Sequence, residues 1–404
     1  MRDGCTKVSV SPLALYVHIP FCETKCPYCD FNTYAGIESL IPSYIDALNK
    51  EVALWGESLS RPAVKTIFFG GGTPSYLPAE HIGATLKAIQ ASFNVAPDAE
   101  ITLESNPGDF SDAKLSAYLE FGVNRLSIGV QSFDDRLLEL LGRRHSADEA
   151  TQAYRMATKA GFGNISIDLM YGLPQQTTDD WRRTLDGAAE LSPPHISMYC
   201  LTLEGGTPME QWVNAGKMPD PDPDEAADMY LMAQDAMRAQ DYRHYEISNW
   251  ARPGFESLHN LAYWRNQAYL GVGPGAHSYL APHRFFNLKS PREYVKRLQH
   301  TPQIILHTED FSLESIKSVP VVEDVEIIGH RLQMAETLMM GLRLDTGIEV
   351  AEFAQRFGGT PARFYGETIE ELATLGLLET VDGWLRLTAK GRIFGNEVFS
   401  RFFE

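Results

Sequence analysis

Three of the five cysteines in this chain of 404 residues lie close together. Cys22, Cys26 and Cys29 have the spacing C-x3-C-x2-C in the segment HIPFCETKCPYCDF. Thiolates at this spacing on one loop can converge on a single inorganic centre. A structural zinc ion normally takes four protein ligands, whereas a [4Fe–4S] cluster held by three cysteines keeps one iron open to a small molecule.

The alternative to a cluster is a zinc site completed by His18 or Asp30. No second CxxC pair exists in the sequence to supply further thiolates, so we favour the cluster. Cys5 and Cys200 have no partner in the pattern, and we interpret them as bystanders. An odd cysteine number with three clustered thiols favours a reducing compartment over a disulfide framework.

The elements that must position these cysteines form a repeated pattern in the first half of the chain. Apolar segments predict six strands, and helical patterns follow them, which indicates six βα units in about two hundred residues. The strands are LALYVHIPF, VKTIFFGGG, EITLESNPG, RLSIGVQSF, NISIDLMYGLP and HISMYCLTLE, and the helices between them cover residues 43–59, 79–93, 111–121, 147–160 and 178–191. We predict an α/β fold, a partial (β/α)6 barrel, with an open doubly wound sheet as the alternative.

Unusual residues stand at the carboxyl ends of these strands, where chemistry collects in both folds. Gly70, Gly71 and Gly72 remove side chains so that backbone groups can approach a ligand, although a tight turn alone would also use them. Glu104 suits an ammonium or a hydroxyl, and Asp168 would be costly in a strand without a partner. The other candidates are polar groups able to contact a ribose or a carboxylate, Gln131 and Arg143. For each of these four side chains, a surface or structural ion pair is the alternative.

The cysteine spacing, GGGTP after the second strand and the order of the βα units resemble the radical S-adenosylmethionine (SAM) superfamily. HIPFC, ESNPG, GVQSF and DLMYGLP further resemble its coproporphyrinogen dehydrogenase-like branch, from about Leu13 to the LTAKGR segment. The resemblance implies a [4Fe–4S] cluster whose open iron is chelated by SAM. It also implies a set of residues around SAM, namely Tyr16, Gly71, Thr73, Glu104, Gln131, Arg143 and Asp168.

Phe31 separates two kinds of protein within this branch. In the family pattern of the oxygen-independent coproporphyrinogen III oxidases, the motif is C-x3-C-x2-C-x-C. The position of its fourth cysteine is occupied by Phe31 in this sequence. They also carry a longer N-terminal arm, for which the twenty-one residues before Cys22 leave little room. The HemW-type haem chaperones instead have CPYCDF and an H-N-x-x-Y-W motif. We therefore expect a haem chaperone rather than the oxidase, with SAM as either a radical source or only a trigger.

The segment HNLAYW supplies the corresponding haem motif: His259, Asn260, Tyr263 and Trp264. In a helix, His259 and Tyr263 share a face, an imidazole can ligate haem iron, and an aromatic ring can pack on a porphyrin. The alternative is a packed aromatic segment with a hydrogen-bonded histidine. His244, His277 and His283 compete with His259 as the iron ligand.

We expect three segments: the barrel at 1–220, an aromatic-rich extension at 221–324 that carries the haem motif, and a small, mainly helical, winged-helix-like domain at 325–404. Met334 to Leu344 has the helical spacing of ordinary core. The formal net charge of −18 and the lack of a basic recognition helix argue against a nucleic acid partner.

The N-terminus has no signal-peptide core and no apolar run is long enough to cross a bilayer, so we expect the protein in the cytosol. The resemblance implies haem as cargo and acceptor haemoproteins as partners. A membrane-bound respiratory haem protein as acceptor would bring the chain to a membrane surface through its partner.

Overall fold

The structure of the protein, a computed structural model, describes residues 12–300 and 312–403. Cys5 lies outside the described residues. The described residues form two compact units: residues 12–233, 268–300 and 312–327 belong to the first, and residues 234–267 and 328–403 to the second. The segment predicted at 221–324 is therefore shared between the units, because residues 269–287 add strands to the sheet of the first.

The first part of the chain alternates strands with helices. The strands are β1 (Leu13–Ile19), β2 (Ala63–Gly71), β3 (Asn94–Ser105), β4 (Arg125–Gln131), β5 (Asn164–Tyr171) and β6 (His195–Cys200). The helices are α1 (Ile41–Ser58), α2 (Ala79–Ser92), α3 (Asp112–Phe121), α4 (Asp135–Leu140), α5 (Ala147–Ala160), α6 (Thr178–Leu191), α7 (Pro208–Asn214) and α8 (Pro223–Ala239).

The remaining elements alternate between the units. The second unit takes up β7 (Arg243–Glu246), β8 (Asn249–Ala251) and α9 (Leu258–Trp264). The chain then returns to the first unit with β9 (Tyr269–Val272), β10 (His277–Leu280), β11 (His283–Asn287), α10 (Pro291–His300), α11 (Leu313–Lys317) and β12 (Val322–Ile327). The second unit continues with α12 (His330–Gly341), β13 (Ile348–Glu349), α13 (Val350–Phe357), α14 (Pro361–Thr374), β14 (Leu378–Val381), β15 (Trp384–Leu387), α15 (Ala389–Ile393) and α16 (Gly395–Ser400).

Strands β1 to β6 pair in sequential order, and every pair is parallel. This order confirms the predicted barrel and excludes a doubly wound sheet, in which the strand order reverses at a switch point. Strand β1 pairs in parallel with β9 on its other side, so it is not available to close the barrel on β6. Strands β10, β11 and β12 extend the sheet beyond β9 in antiparallel pairs.

Local sequence signals explain where the barrel helices begin and end. Ser146 and Thr177 form capping boxes at the starts of α5 and α6, whose bounds agree with the prediction. Gly122 and Gly161 end α3 and α5 in the left-handed conformation, where glycine avoids a steric penalty. The strands between these helices are buried on both faces, as in β4.

The C-terminal part of the second unit has the predicted winged-helix-like arrangement of helices beside a small sheet. The sheet has the order β13-β15-β14. Asp382 and Gly383 both have positive φ angles in the turn between β14 and β15, as a tight two-residue hairpin turn requires. Met334 and Leu338 of α12 are buried in the core of this unit, which confirms that Met334 to Leu344 is core.

Candidate functional site

The three cysteines lie on the loop that follows β1, which we call the cluster loop (residues 20–34). The loop closes on itself, because the Cys22 N–H donates to the Tyr34 carbonyl over 3.0 Å and the Tyr34 N–H donates to the Pro20 carbonyl over 2.8 Å. The Cys29 N–H donates to the Cys26 carbonyl over 3.1 Å. These bonds fold a segment without regular secondary structure into a defined shape.

Threonine hydroxyls contact two of the sulfur atoms. Thr73 Oγ1 donates to Cys22 Sγ over 3.6 Å, and Thr33 Oγ1 lies 3.9 Å from Cys29 Sγ. Burial raises the pKa of both thiols, and the neighbouring cysteines raise it further, as expected for sulfur atoms that face one another. The thiolate forms of Cys22 and Cys29 are therefore disfavoured until a metal centre binds them.

Arg143 contacts the third sulfur. Its Nη1 donates to Cys26 Sγ over 3.7 Å, and its Nη2 donates to Asn106 Oδ1 over 2.6 Å and to the Gly129 carbonyl over 2.8 Å. The Arg143 Nε–H is buried and donates to no atom of the described residues. The guanidinium is thus fixed beside the cysteines and keeps one donor for a ligand.

Asn106 connects Thr73 and Arg143, the residues that donate hydrogen bonds to Cys22 and Cys26. The sequence prediction named Glu104, two residues before it, but not Asn106. Its Nδ2 donates to Thr73 Oγ1 over 3.2 Å, and its Oδ1 accepts from Arg143. Asn106 directly follows β3, within the ESNPG segment. Its position at a strand end is the signal that could have identified it.

The zinc alternative finds no support in the geometry. The Nε2 atom of His18 is 2.9 Å from the Asn32 carbonyl, and its Nδ1 is 3.0 Å from the Tyr16 hydroxyl, so both ring nitrogens have protein partners. Asp30 is exposed. Within residues 12–300 and 312–403, no three His, Cys, Asp or Glu side chains are arranged to hold one metal ion. The donor set itself, three thiols on one loop with a hydroxyl or guanidinium beside each sulfur, has the chemistry that a cluster with three protein-bound irons requires.

The glycine loop after β2 packs against the cluster loop. The Gly72 N–H donates to the Ile19 carbonyl over 2.7 Å, and the Thr73 N–H donates to the Phe21 carbonyl over 2.8 Å. A Cβ on Gly72 would meet the Phe21 oxygen at 2.6 Å, and a Cβ on Gly71 would meet the His18 ring at 2.4 Å. These glycines therefore allow the close approach of two loops, in addition to any approach of a ligand.

Two carboxylates face each other inside the barrel. Glu104 Oε2 accepts from the Gly71 N–H over 3.0 Å, and both Asp168 oxygens accept from Ser127 Oγ, over 3.1 and 2.9 Å. Burial, together with the charge of Asp168, raises the pKa of Glu104 to about 8, and burial also raises the pKa of Asp168. The charge of the buried Arg125 guanidinium lowers the pKa of both carboxyls and offsets part of this effect. A bound cation would add to that compensation, because desolvation and repulsion disfavour two negative charges here.

The other predicted SAM residues lie at or near the carboxyl end of the barrel strands. Tyr16 on β1 has its ring stacked on Phe68, with the centroids 6.3 Å apart. Gln131 ends β4 with a φ angle of 66°. A residue other than glycine keeps such a backbone conformation only when its surroundings hold it there. The structure thus brings the predicted cysteines and SAM residues together in the first unit.

The haem motif lies in the second unit, on the short helix α9. His259 is only 1% exposed, and its Nε2 is 3.0 Å from the Tyr263 hydroxyl. The Asn260 N–H donates to the capping Ser257 hydroxyl over 3.4 Å. The Arg343 guanidinium lies over the Trp264 ring, 5.3 Å from its centroid. His259 and Tyr263 therefore share a helix face as expected. For His259 Nε2 to ligate haem iron, its hydrogen bond to the Tyr263 hydroxyl would have to break.

The competing histidines are also held by the protein. His244 stacks on Trp250 with the ring centroids 4.2 Å apart, and its Nε2 is 3.1 Å from the Ile247 carbonyl. Burial lowers the pKa of His244 to about 4. His277 and His283 lie on β10 and β11 of the first unit. Cys200 is exposed and belongs to β6, away from the cluster loop in sequence.

None of the helices in the described part of the chain is long and apolar enough to cross a membrane.

Sequence models of two families match the chain: the radical SAM superfamily over residues 16–188 and the HemN C-terminal domain over residues 330–394. Among solved structures, coproporphyrinogen III oxidase (HemN) from Escherichia coli has a TM-score of 0.82 at 24% identity and covers 98% of this chain and 92% of its own. This likeness shows a shared fold.

Relatives of established name align over nearly the whole chain. The haem chaperone HemW of Bacillus subtilis is 35% identical over 388 residues, which are 96% of this chain and 98% of that protein. HemW of Lactococcus lactis is 36% identical over 391 residues, 97% of each chain. The mitochondrial radical S-adenosyl methionine domain-containing protein 1 of Bos taurus is 38% identical over 83% of this chain and 74% of its own. The chain therefore belongs to the HemW family of haem chaperones, within the radical SAM superfamily.

Proposed function

We propose that the protein holds a [4Fe–4S] cluster and SAM in its first unit, carries haem at the HNxxYW motif, and delivers that haem to acceptor haemoproteins. The observation that carries this proposal is the cluster loop itself. Three cysteines lie on this one loop, each sulfur has a hydroxyl or guanidinium neighbour, and an exposed phenylalanine follows them.

Cys22, Cys26 and Cys29 would hold the cluster. When bound, the cluster supplies one iron that lacks a protein ligand and a reducing electron. The role of this chain is electrostatic: Thr73 and Arg143 donate to sulfur atoms, which would compensate the negative charge of a bound cluster.

Chemical complementarity supports a SAM site beside the cysteines. SAM carries an ammonium, a sulfonium and a carboxylate. The Glu104 and Asp168 pair lies in the barrel interior and would be stabilised by a cation. The unpaired Arg143 Nε–H suits a carboxylate. Together with Tyr16, Gly71, Thr73 and Gln131, these side chains make up the proposed SAM set.

Phe31 favours the chaperone over the oxidase. Phe31 is 64% exposed, and it stands where the oxidase motif has its fourth cysteine. A phenyl ring has none of the acid–base or redox chemistry of a thiol, so this residue cannot perform the reaction of a cysteine at that position. The relatives that align at 35% and 36% identity are named haem chaperones, which points the same way.

The HNxxYW motif on α9 is the proposed haem site. Three aromatic or imidazole side chains, His259, Tyr263 and Trp264, follow one another within two helical turns. In this proposal His259 is the iron ligand, and Tyr263 and Trp264 pack on the macrocycle. A membrane-bound respiratory haem protein is the acceptor we propose, and binding to it would bring the chain to a membrane surface.

The test is one anaerobic assay with two substrates. Reconstituted protein receives SAM and a reductant, with either haem and an apo-haemoprotein or coproporphyrinogen III. We expect haem to reach the acceptor with its macrocycle unchanged, and no loss of carboxylate from coproporphyrinogen III. Decarboxylation of coproporphyrinogen III with turnover would overturn the chaperone proposal. Haem transfer no faster than from free haem would also overturn it.

A further inference from the structure

Asn32 joins the cluster loop to a distant part of the chain. Its Nδ2 donates to the carbonyls of Pro274 and Lys289, over 2.9 Å in each case. Its Oδ1 accepts from the Tyr34 hydroxyl over 3.0 Å, and its own carbonyl is 2.9 Å from His18 Nε2. The side-chain amide is therefore fully used, and it fixes the end of the loop next to Phe31.

The receiving surface is the turn between β9 and β10 (residues 273–276), which is shaped around this amide. Gly275 has a φ angle of 75°, and a Cβ at this position would meet Asn32 Nδ2 at 2.7 Å. Gly273 has a φ angle of 100°, and a Cβ there would meet the His18 carbonyl oxygen at 2.7 Å. Glycine is thus required twice, by backbone conformation and by the space that the cluster loop and β1 take up.

A buried carboxyl holds this turn from behind. Glu51 of α1 is completely buried, and its oxygens accept from the Gly273 N–H over 2.7 Å, from Asn287 Nδ2 over 2.6 Å and from Trp55 Nε1 over 3.3 Å. The Tyr294 hydroxyl donates to it as well. Four donors from α1, the turn, β11 and α10 converge on one side chain, which makes the turn a rigid support.

We propose that Asn32 is a positioning residue that clamps the second half of the cluster loop (residues 26–32) onto the turn at 273–276. This clamp determines how long the cluster is retained. The inference rests on the proposed cluster. It follows from the contacts because two of the three thiolates, at Cys26 and Cys29, lie on the arm that leads to Asn32. Ligands on a loop keep their geometry only where neighbouring contacts lock that loop.

The test uses the full chain with Asn32→Asp, which keeps the size of the side chain but points a carboxylate oxygen at two carbonyl oxygens. Asn94→Asp is the control, because it makes the same charge change at an exposed residue. The first measurement is the rate at which an iron chelator removes the cluster from anaerobically reconstituted protein. We expect release to be roughly tenfold faster for Asn32→Asp and unchanged for Asn94→Asp, since the loss of two neutral hydrogen bonds is enough for a change of that size.

The second measurement needs no cluster. Iodoacetamide labelling of reduced, cluster-free protein, read peptide by peptide, should show faster labelling of Cys26 and Cys29 relative to Cys200 in Asn32→Asp. Asn32→Ser, which removes both donors without adding charge, should give the same direction and serves if Asn32→Asp does not fold. Labelling ratios equal to wild type in both variants would overturn the clamp. An equal rise at Cys200 would also overturn it, because the whole fold would then have loosened.

The two measurements separate the two proposals. A wild-type protein that takes up no iron and sulfide defeats the proposed cluster, while the labelling ratios still decide the clamp. A wild-type cluster that is lost at the same rate as in Asn32→Asp defeats the clamp and leaves the proposed function standing.

Discussion

Arg143 donates from Nη1 to the sulfur of Cys26 over 3.7 Å, although the two residues are 117 positions apart in the sequence. A fixed positive charge beside a thiolate ligand stabilises the more negative, reduced form of a bound cluster. In the proposed cluster, this contact would help to set the reduction potential.

Replacement of Arg143 by methionine should lower that potential. The change removes the charge but keeps much of the side-chain volume, and a shift of roughly 60 mV corresponds for one electron to about 1.4 kcal/mol, which one charge-assisted hydrogen bond can supply. Redox titration of the reconstituted protein, followed by electron paramagnetic resonance, measures it. Arg143→Lys keeps a charge and should shift the potential less. Equal potentials in wild type and Arg143→Met would show that the contact has no electrostatic role.

Replacement of the three loop cysteines by alanine should abolish iron and sulfide binding. Wild-type protein reconstituted without oxygen should hold about four irons and four sulfides, as this cluster type requires. The Cys200→Ala variant is the matched control, because Cys200 is exposed on β6 and should not affect the content. Iron and sulfide analysis after desalting decides the matter, and normal content in the triple variant would disprove the assignment.

Glu104 should make the stability of the ligand-free protein depend on pH. Its pKa in the folded chain, about 8, lies above the ordinary value of 4.5, so the folded state holds this proton more tightly than the unfolded state. The resulting stabilisation is present below about pH 4.5 and is lost as the pH rises towards about 8. Glu104→Gln should remove this part of the decline, measured by denaturant unfolding at about pH 5.5 and about pH 8.5.

The control for this comparison is Glu80→Gln, which changes an exposed carboxyl on α2. Its profile should follow that of wild type. A decline in Glu104→Gln as steep as in wild type would assign the pH dependence to other buried groups.

Substitutions of His259 and Tyr263 should change the affinity for haem in opposite directions. In the structure Tyr263 occupies the His259 Nε2 atom, so the hydroxyl competes with any iron for that atom. Tyr263→Phe should tighten haem binding about fivefold, the equivalent of one neutral hydrogen bond, whereas His259→Ala should weaken it. Titration of haem, followed by its Soret absorbance, measures both.

The matched control is Tyr365→Phe, which removes a hydroxyl that donates to the Arg331 carbonyl over 3.3 Å elsewhere in the same unit. Haem affinity should be unchanged there. Weaker binding in Tyr263→Phe would mean that the hydroxyl assists haem binding, and unchanged binding in His259→Ala would move the iron ligand to another residue.

The sequence pattern was sufficient for the barrel, because parallel strands buried on both faces are almost continuously apolar and their carboxyl ends meet at one edge. Glu104 and Asp168 could be placed on these strands in this way, whereas Arg143 lies between α4 and α5 and was indicated by the family resemblance. Their partners were harder to predict. Asn106 and Ser127 are ordinary polar residues in strands or turns, and only the register of neighbouring strands shows that they face Arg143 and Asp168.

The sheet extension β9 to β12 could not be predicted, because its strands have four to six residues and no strong alternation. Its pairing with β1 joins residues far apart in sequence, such as Tyr16 and Gly271. The same holds for the donors of Glu51, which looks like any charged residue of an amphipathic helix until its surroundings are known.

The parallel pairing of β1 with β9 also determines when the cluster loop can be completed during synthesis. The ribosome makes β1 early, but its second neighbour exists only after Val272, and the last acceptor of the Asn32 amide is the carbonyl of Lys289. A nascent chain that ends before that point can have all three cysteines and still lack the partner that holds the loop in place. The proposed cluster would therefore have its finished binding site only late in translation, when roughly the first three quarters of the chain have been made.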